Sequence, residues 1–281
     1  MPLARWTLTN LQIACPWLRS LSLGGAHRLL ERLDVVWKRG RASVRSPDPQ
    51  YEAKLAYLEH LRQQTAAHPQ RFILVYLDEV TIERQPTLSA AFFPQGHDQP
   101  RARRSHAADT LTRVVASLTH GTGKVVFRRA SKIRLETLVQ FYVDLRAAYP
   151  QAERIYVVQD NWPVHTHPDL LVALEPQSSP FPFYRPGNWP TTPSPAALKQ
   201  WSQLQLPFQI VPLPTYASWC NPTEKLWRKL RQQLTHLHPW ADDLPRLRLE
   251  IDQFLGYFAE GSAALLDYVG LGRWLWPGVP D

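Results

Sequence analysis

Cysteine is nearly missing from the chain: Cys15 and Cys220 are the only two. That excludes a disulfide-held scaffold and a cysteine-rich zinc module. No uncharged apolar run approaches the ~18 residues of a membrane-spanning helix. The opening Met-Pro-Leu-Ala-Arg-Trp lacks an apolar signal core, and no internal repeat is visible. A soluble protein of a reducing cytoplasm is expected, with no membrane partner. Acidic residues are outnumbered, 24 against 32 Lys and Arg, for a net charge of +8. A basic surface favours a polyanionic partner, nucleic acid first. What remains is ordinary: 44% hydrophobic and 20% charged residues in 281 exclude disorder throughout and allow about two domains.

The first fifty residues are locally more basic than the rest. Leu29, Leu30 and Leu33 give a helical stripe behind a cap at Ser22, and Arg28 and Arg32 share one face. Trp37-Lys38-Arg39-Gly40-Arg41 reads as a basic turn. Short helices followed by such a turn suit a small helix-turn-helix segment over 1–50, with Arg28, Arg32, Lys38, Arg39 and Arg41 on DNA. Ser46-Pro47-Asp48-Pro49 reads as a linker, and a helix is predicted over 51–64. Phe72 to Val80 is a nearly continuous apolar run, as a strand buried on both faces should be. A hairpin over 113–127, a helix over 135–148 and strands over 155–160 and 208–213 follow. A helix from Asn221-Pro222 to Leu234 and one over 247–259 complete the reading, an α/β domain over 51–281. Between Glu175 and Pro207 lie eight prolines, which predicts a surface insertion without regular structure.

Three acids stand at element ends or inside apolar strands. Asp78 interrupts the first strand, Asp160 ends another, and Glu224 opens a helix. A carboxylate in a buried strand is costly unless it is paired or holds a cation. If the two strands are neighbours, Asp78 and Asp160 repel, and a divalent ion relieves that. Oxygen ligands without a His or Cys cluster suit Mg²⁺ or Mn²⁺. With a basic surface, the pattern points to two-metal phosphodiester chemistry. Duller roles are open to each acid. Asp78 and Glu79 face opposite sides of a strand, Asp160-Asn161-Trp162-Pro163 is also turn chemistry, and Glu224 sits where a capping-box Glu would.

Tyr76-Leu77-Asp78-Glu79, the block from Gln159 to His165 and the block from Tyr216 to Trp227 resemble the three signature blocks of DDE transposases, in the mariner-like bacterial insertion-sequence group. The second resembles the family's Asp-Asn-x-x-x-His and the third its Asn-Pro-x-Glu. The resemblance implies a ribonuclease H-like mixed sheet flanked by helices, with Asp78, Asp160 and Glu224 as metal-binding catalytic residues. It implies two divalent cations, Mg²⁺ or Mn²⁺, double-stranded DNA as transposon end and target, and a homodimer on DNA. Asn161, His165 and Asn221 would orient the ligands or touch DNA. Two features depart from the family pattern. The proline-rich stretch lengthens the interval between Asp160 and Glu224. A further helix-turn-helix usually precedes residues like those that open this chain. The second departure motivates another reading, a catalytically silent DNA-binding protein acting as inhibitor or regulator.

Other motifs are weaker. His120-Gly121-Thr122-Gly123-Lys124 lacks the Gly and the Ser/Thr of a phosphate loop and reads as a hairpin turn. Arg128 and Arg129, and Lys225 and Arg228 behind Glu224, are candidate DNA contacts; either group would equally serve as a solvated or ion-paired face. Trp162, Trp189 and Trp219 would stack on flipped bases or pack in the core.

Overall fold

A computed structural model describes residues 5–38, 46–176 and 179–272. The chain divides into two compact units, Met1–Val44 and Arg45–Asp281. In the first, α1 (Leu8–Ala14) is capped by Thr7, whose hydroxyl accepts from the Asn10 N–H. After a 3₁₀ turn, α2 (Leu23–Arg32) starts under the expected Ser22 cap. Buried apolar residues here are few, Leu18 and Ala26 among them, while Trp6, Trp17 and Trp37 are exposed.

The second unit is built on one five-stranded sheet of order β3-β2-β1-β4-β5. Its strands are β1 (Phe72–Glu83), β2 (Leu111–Thr119), β3 (Val125–Ala130), β4 (Arg154–Gln159) and β5 (Phe208–Pro212). The hairpin β2–β3 continues antiparallel from β1, whereas β4 and β5 lie parallel beside it. β1 is therefore central, and its apolar run follows from cover on both faces. Alternate residues go to opposite sides. Ile73, Val75 and Leu77 pack towards α4 (Leu135–Ala148), α5 (Pro168–Leu171) and α6 (Pro195–Trp201). Leu74 and Tyr76 meet α3 (Tyr51–Ala67), and Val80 and Ile82 meet α7 (Thr223–Leu230), α8 (Leu244–Gly256) and α9 (Ala263–Val269). A fully buried side chain of this kind contributes about 1.5–3 kcal/mol. Among the described residues no helix is long and apolar enough to cross a membrane.

The β2–β3 turn carries the Gly-Thr-Gly segment, which is hairpin chemistry. Gly123 (φ +69°) and Gly261 (φ +94°) face one another's loops: a Cβ would meet Ser262 O at 2.5 Å or Thr122 O at 2.6 Å. Only glycine permits that approach, and it docks the hairpin on the α8–α9 connection.

Two expectations need correction. The proline-rich stretch is not bare surface loop. Its last part forms α6, with Pro195 in the first turn, where a missing N–H costs nothing, and Ser194 as cap. Trp201 and Ala197 enter the core, and Leu174 bridges Leu206, so the two ends of the stretch meet. Nor is Ser46–Gln50 a free linker. Asp48 and Lys54 form a buried ion pair at 2.8 Å, with 5% and 7% of their side chains exposed. Asp48 also accepts from the Thr215 N–H at 2.9 Å, and Ser46 donates to Thr215 O at 2.5 Å. This segment is pinned to the loop that follows β5.

Candidate active site

The site lies where three element ends meet. Parallel pairing sets Tyr76 opposite Val158, so Asp78 on β1 is level with Asp160 just past β4. Glu224 comes from the first turn of α7, after β5. Asn221 and Thr223 fasten that turn to β1. The Asn221 amide donates to Leu77 O at 2.9 Å and its oxygen accepts from the Thr223 N–H at 3.1 Å. The Thr223 hydroxyl donates to Tyr76 O at 2.8 Å. Both side chains are buried. One turn further along, the Trp227 indole N–H donates to Asp78 Oδ2 at 3.0 Å. Asn-Pro-Thr-Glu is thus a clip that places a helix beside a carboxylate. Asn221→Ala would leave Leu77 O and the Thr223 N–H buried without partners. A loss of about 1–3 kcal/mol in urea-unfolding stability is expected; an unchanged midpoint would remove the clip.

Asp160 has a different environment. Its Oδ1 accepts from the Trp162 N–H at 2.9 Å and lies 3.4 Å from His165 Nδ1. On the other side of the ring, His165 Nε2 contacts Glu79 Oε1 at 2.9 Å. The imidazole is 1% exposed. Burial alone would push it down, but Glu79 and Asp160 outweigh this and hold it up at about 10. Burial likewise pushes Asp160 up, yet His165 and the Trp162 N–H bring it below its ordinary value. Asp78 is the opposite case. Burial first, then the charges of Glu224 and Glu79, raise it to about 7. Asn161 donates to Leu213 O at 2.8 Å and joins the end of β4 to the chain after β5.

Asp78, Asp160 and Glu224 line one cleft of about 590 Å³, together with Trp162, Tyr184 and Tyr216. A second lobe of about 460 Å³ shares Asp78, Asp160 and Trp162 and adds Glu79, Arg113 and Lys132. The donor set fits a hard divalent cation: carboxylate oxygens only, one of them raised to about 7 by burial and then by its acidic neighbours. Among the described residues no three acidic, His or Cys side chains stand close enough to enclose an ion. The Asp160 carboxylate is turned towards His165.

The other expected positions scatter. Arg28, Arg32 and Lys38 are exposed in the first unit, and Arg39 and Arg41 fall outside the described residues. Arg128 is paired with Asp144 at 2.6 Å and Arg129 with Asp252 at 2.8 Å, which joins β3 to α4 and α8 and places neither arginine in the cleft. Lys225 donates to Val269 O at 2.8 Å, and Arg228 is exposed a turn beyond Glu224. Glu79, Thr223, Trp227, Arg113, Tyr184 and Tyr216 were not anticipated as site residues. For Thr223 and Trp227 the signal was present in the block from Asn221 to Trp227; Tyr184 has none.

The sequence profile of the DDE superfamily endonucleases matches residues 73–248. An uncharacterized 39 kDa protein of insertion element IS630 from Shigella sonnei is 24% identical over 238 residues, covering 84% of this chain and 60% of that protein. The chain therefore spans about 60% of the length of that curated relative. Among solved structures, a Mos1 transposase paired-end complex with left transposon end has a TM-score of 0.57 at 14% identity, over 97% of this chain and 77% of that one. A Mos1 mariner paired end complex with Mn has a TM-score of 0.55 at 14% identity, over 97% and 77%. At such identity the likeness concerns the fold, which is ribonuclease H-like. The profile spans more than half of the chain, which therefore belongs to the DDE superfamily endonucleases.

Proposed function

We propose that this chain cuts DNA strands at the ends of its element and joins the freed 3′-hydroxyl to target DNA, using two divalent cations, Mg²⁺ or Mn²⁺. The observation that carries this reading is the single cleft lined by Asp78, Asp160 and Glu224, in which Asp78 is raised to about 7 by burial and its acidic neighbours. Such repulsion is what a cation relieves. Asp78 would serve both ions, and Asp160 and Glu224 one each. Bound there, the cations would supply an activated water or hydroxyl and neutralise charge on the leaving oxygen.

The chain's own residues do the positioning. Trp227 holds one oxygen of Asp78, the Asn221–Thr223 clip sets the height of Glu224, and His165 fixes Asp160 from behind. Arg113 and Lys132 offer positive charge to a strand entering the second lobe. Double-stranded DNA is the partner, and two ends cut together would require a homodimer.

The test is calorimetric titration of Mn²⁺ into the protein, paired with a nicking assay on DNA that carries the element's inverted ends. Wild type should bind Mn²⁺ and nick. Glu224→Gln and Asp160→Asn should weaken Mn²⁺ binding at least about ten-fold and lose nicking, while DNA binding stays and falls steeply with salt. Full nicking by Glu224→Gln would sink the assignment. Salt-sensitive DNA binding without Mn²⁺ binding or nicking would favour the silent DNA-binding protein.

A further inference from the structure

The two lobes beside the carboxylates differ in chemistry. One carries Arg113 and Lys132. The other carries Tyr184 and Tyr216, 62% and 77% exposed, and Trp162, 37% exposed, lines both lobes. Aromatic side chains usually bury their large faces. Three that converge on an acid-lined cleft while open to water call for an occupant with flat apolar faces.

The segments that carry the rings are held by specific contacts. Trp162 stands edge-on to His165 at 5.2 Å. Tyr216 has φ +55°, a left-handed backbone that costs a bulky residue about 1–3 kcal/mol. The Asp48 and Ser46 bonds to Thr215 hold the residue just before it. Tyr184 comes from the proline-rich stretch. Phe181 is buried there edge-on to Tyr57, Phe183 packs on the core, and Tyr184 O accepts from the buried Thr166 hydroxyl at 3.1 Å. With Phe181 and Phe183 anchored inward and its carbonyl held by Thr166, Tyr184 lines the cleft.

We propose that Trp162, Tyr184 and Tyr216 form a receptor for unpaired nucleobases of the strand whose phosphate lies at the carboxylates, and that the proline-rich stretch serves to deliver Tyr184. This rests on the DNA-cutting reading above and extends it. Every base has a π-face, so stacking is sequence-tolerant, and it selects unstacked over paired bases. Arg113 and Lys132 hold the backbone on one side of the scissile phosphate, and the rings hold its bases on the other.

The experiment compares binding of a fully paired duplex with that of the same duplex carrying a short mismatched bubble, in Ca²⁺ to neutralise the acids. 2-Aminopurine is placed in the bubble. Wild type should prefer the bubble by about ten-fold and quench the probe by stacking. The double variant Tyr184→Ala, Tyr216→Asn should lose preference and quenching but keep paired-duplex affinity within about two-fold. Asparagine is chosen because it tolerates the left-handed backbone. Tyr257→Ala, an exposed tyrosine at the end of α8, should behave as wild type. No bubble preference in wild type, or preference surviving in the double variant, overturns the receptor. Equal loss on both duplexes overturns it too, since the rings would then be general DNA contacts. The preference is a ratio of affinities read without cleavage. Nicking with no preference therefore sinks this inference alone, and preference without nicking sinks only the cutting reaction.

Discussion

Asp78→Asn is expected to abolish strand cleavage and, in metal-free buffer above neutral pH, to make the protein more stable. The first effect follows from losing a carboxylate assigned to both cations. Several kcal/mol of transition-state stabilisation is at least about a thousand-fold in rate. The second follows from the strain the carboxylate carries. Asp78 titrates at about 7 in the fold against an ordinary 3.8. Between those values the folded protein holds a proton that the unfolded chain has lost, so stability falls as pH rises and levels off above about 7. Asparagine removes the penalty and still accepts from the Trp227 indole. With half-burial taken into account, the gain at pH 8.5 is about 1–3 kcal/mol, and it shrinks towards zero near pH 4. Thermal unfolding in EDTA at pH 4, 6 and 8.5 reads it. A variant less stable than wild type at pH 8.5 would mean that the carboxylate is not strained.

Asp48→Ala should cost about 3–5 kcal/mol, because it strands the Lys54 ammonium in a site where 7% of the side chain meets water. It also takes the acceptor from the Thr215 N–H. Burial pushes Asp48 up, but hydrogen bonds from Lys54, Thr215 and Gln50 more than offset it and hold the carboxyl at about 2. The sign is opposite to that of Asp78. The contribution is complete above the unfolded value of about 3.8 and is lost as pH falls through about 2. Urea unfolding at pH 7 and pH 2.5 should show wild type and variant far apart at the first and closer at the second. Asp48→Ala combined with Lys54→Met should recover much of the loss; no recovery would mean that the pair is not what stabilises this corner.

Much of the sheet was legible because its signals are local. The run from Phe72 to Val80, the Gly-Thr-Gly turn and the period of Leu135 to Ala148 each specify an element with nearest-neighbour chemistry. The block from Asn221 to Glu224 announced a helix start, and the structure shows its side chains tied to β1. What stayed hidden is non-local. The ring of His165 between Glu79 and Asp160 joins residues far apart in the chain, and no spacing rule finds it. Arg128 and Arg129 read as free cations because Asp144 and Asp252 reach them only in the fold. Eight prolines masked α6, since Pro195 is harmless at a helix start and the others lie outside it.

The central place of β1 has a consequence for synthesis. Its antiparallel partner β2 emerges next and pairs with β3 by a tight hairpin, whereas the parallel partner β4, and β5 beyond it, arrive later and close long loops. Glu224, clipped beside Asp78, comes about half a chain length behind it. A nascent polypeptide therefore shows its first acid long before the last, and translation halted anywhere between them yields a product without all three acids of the cleft.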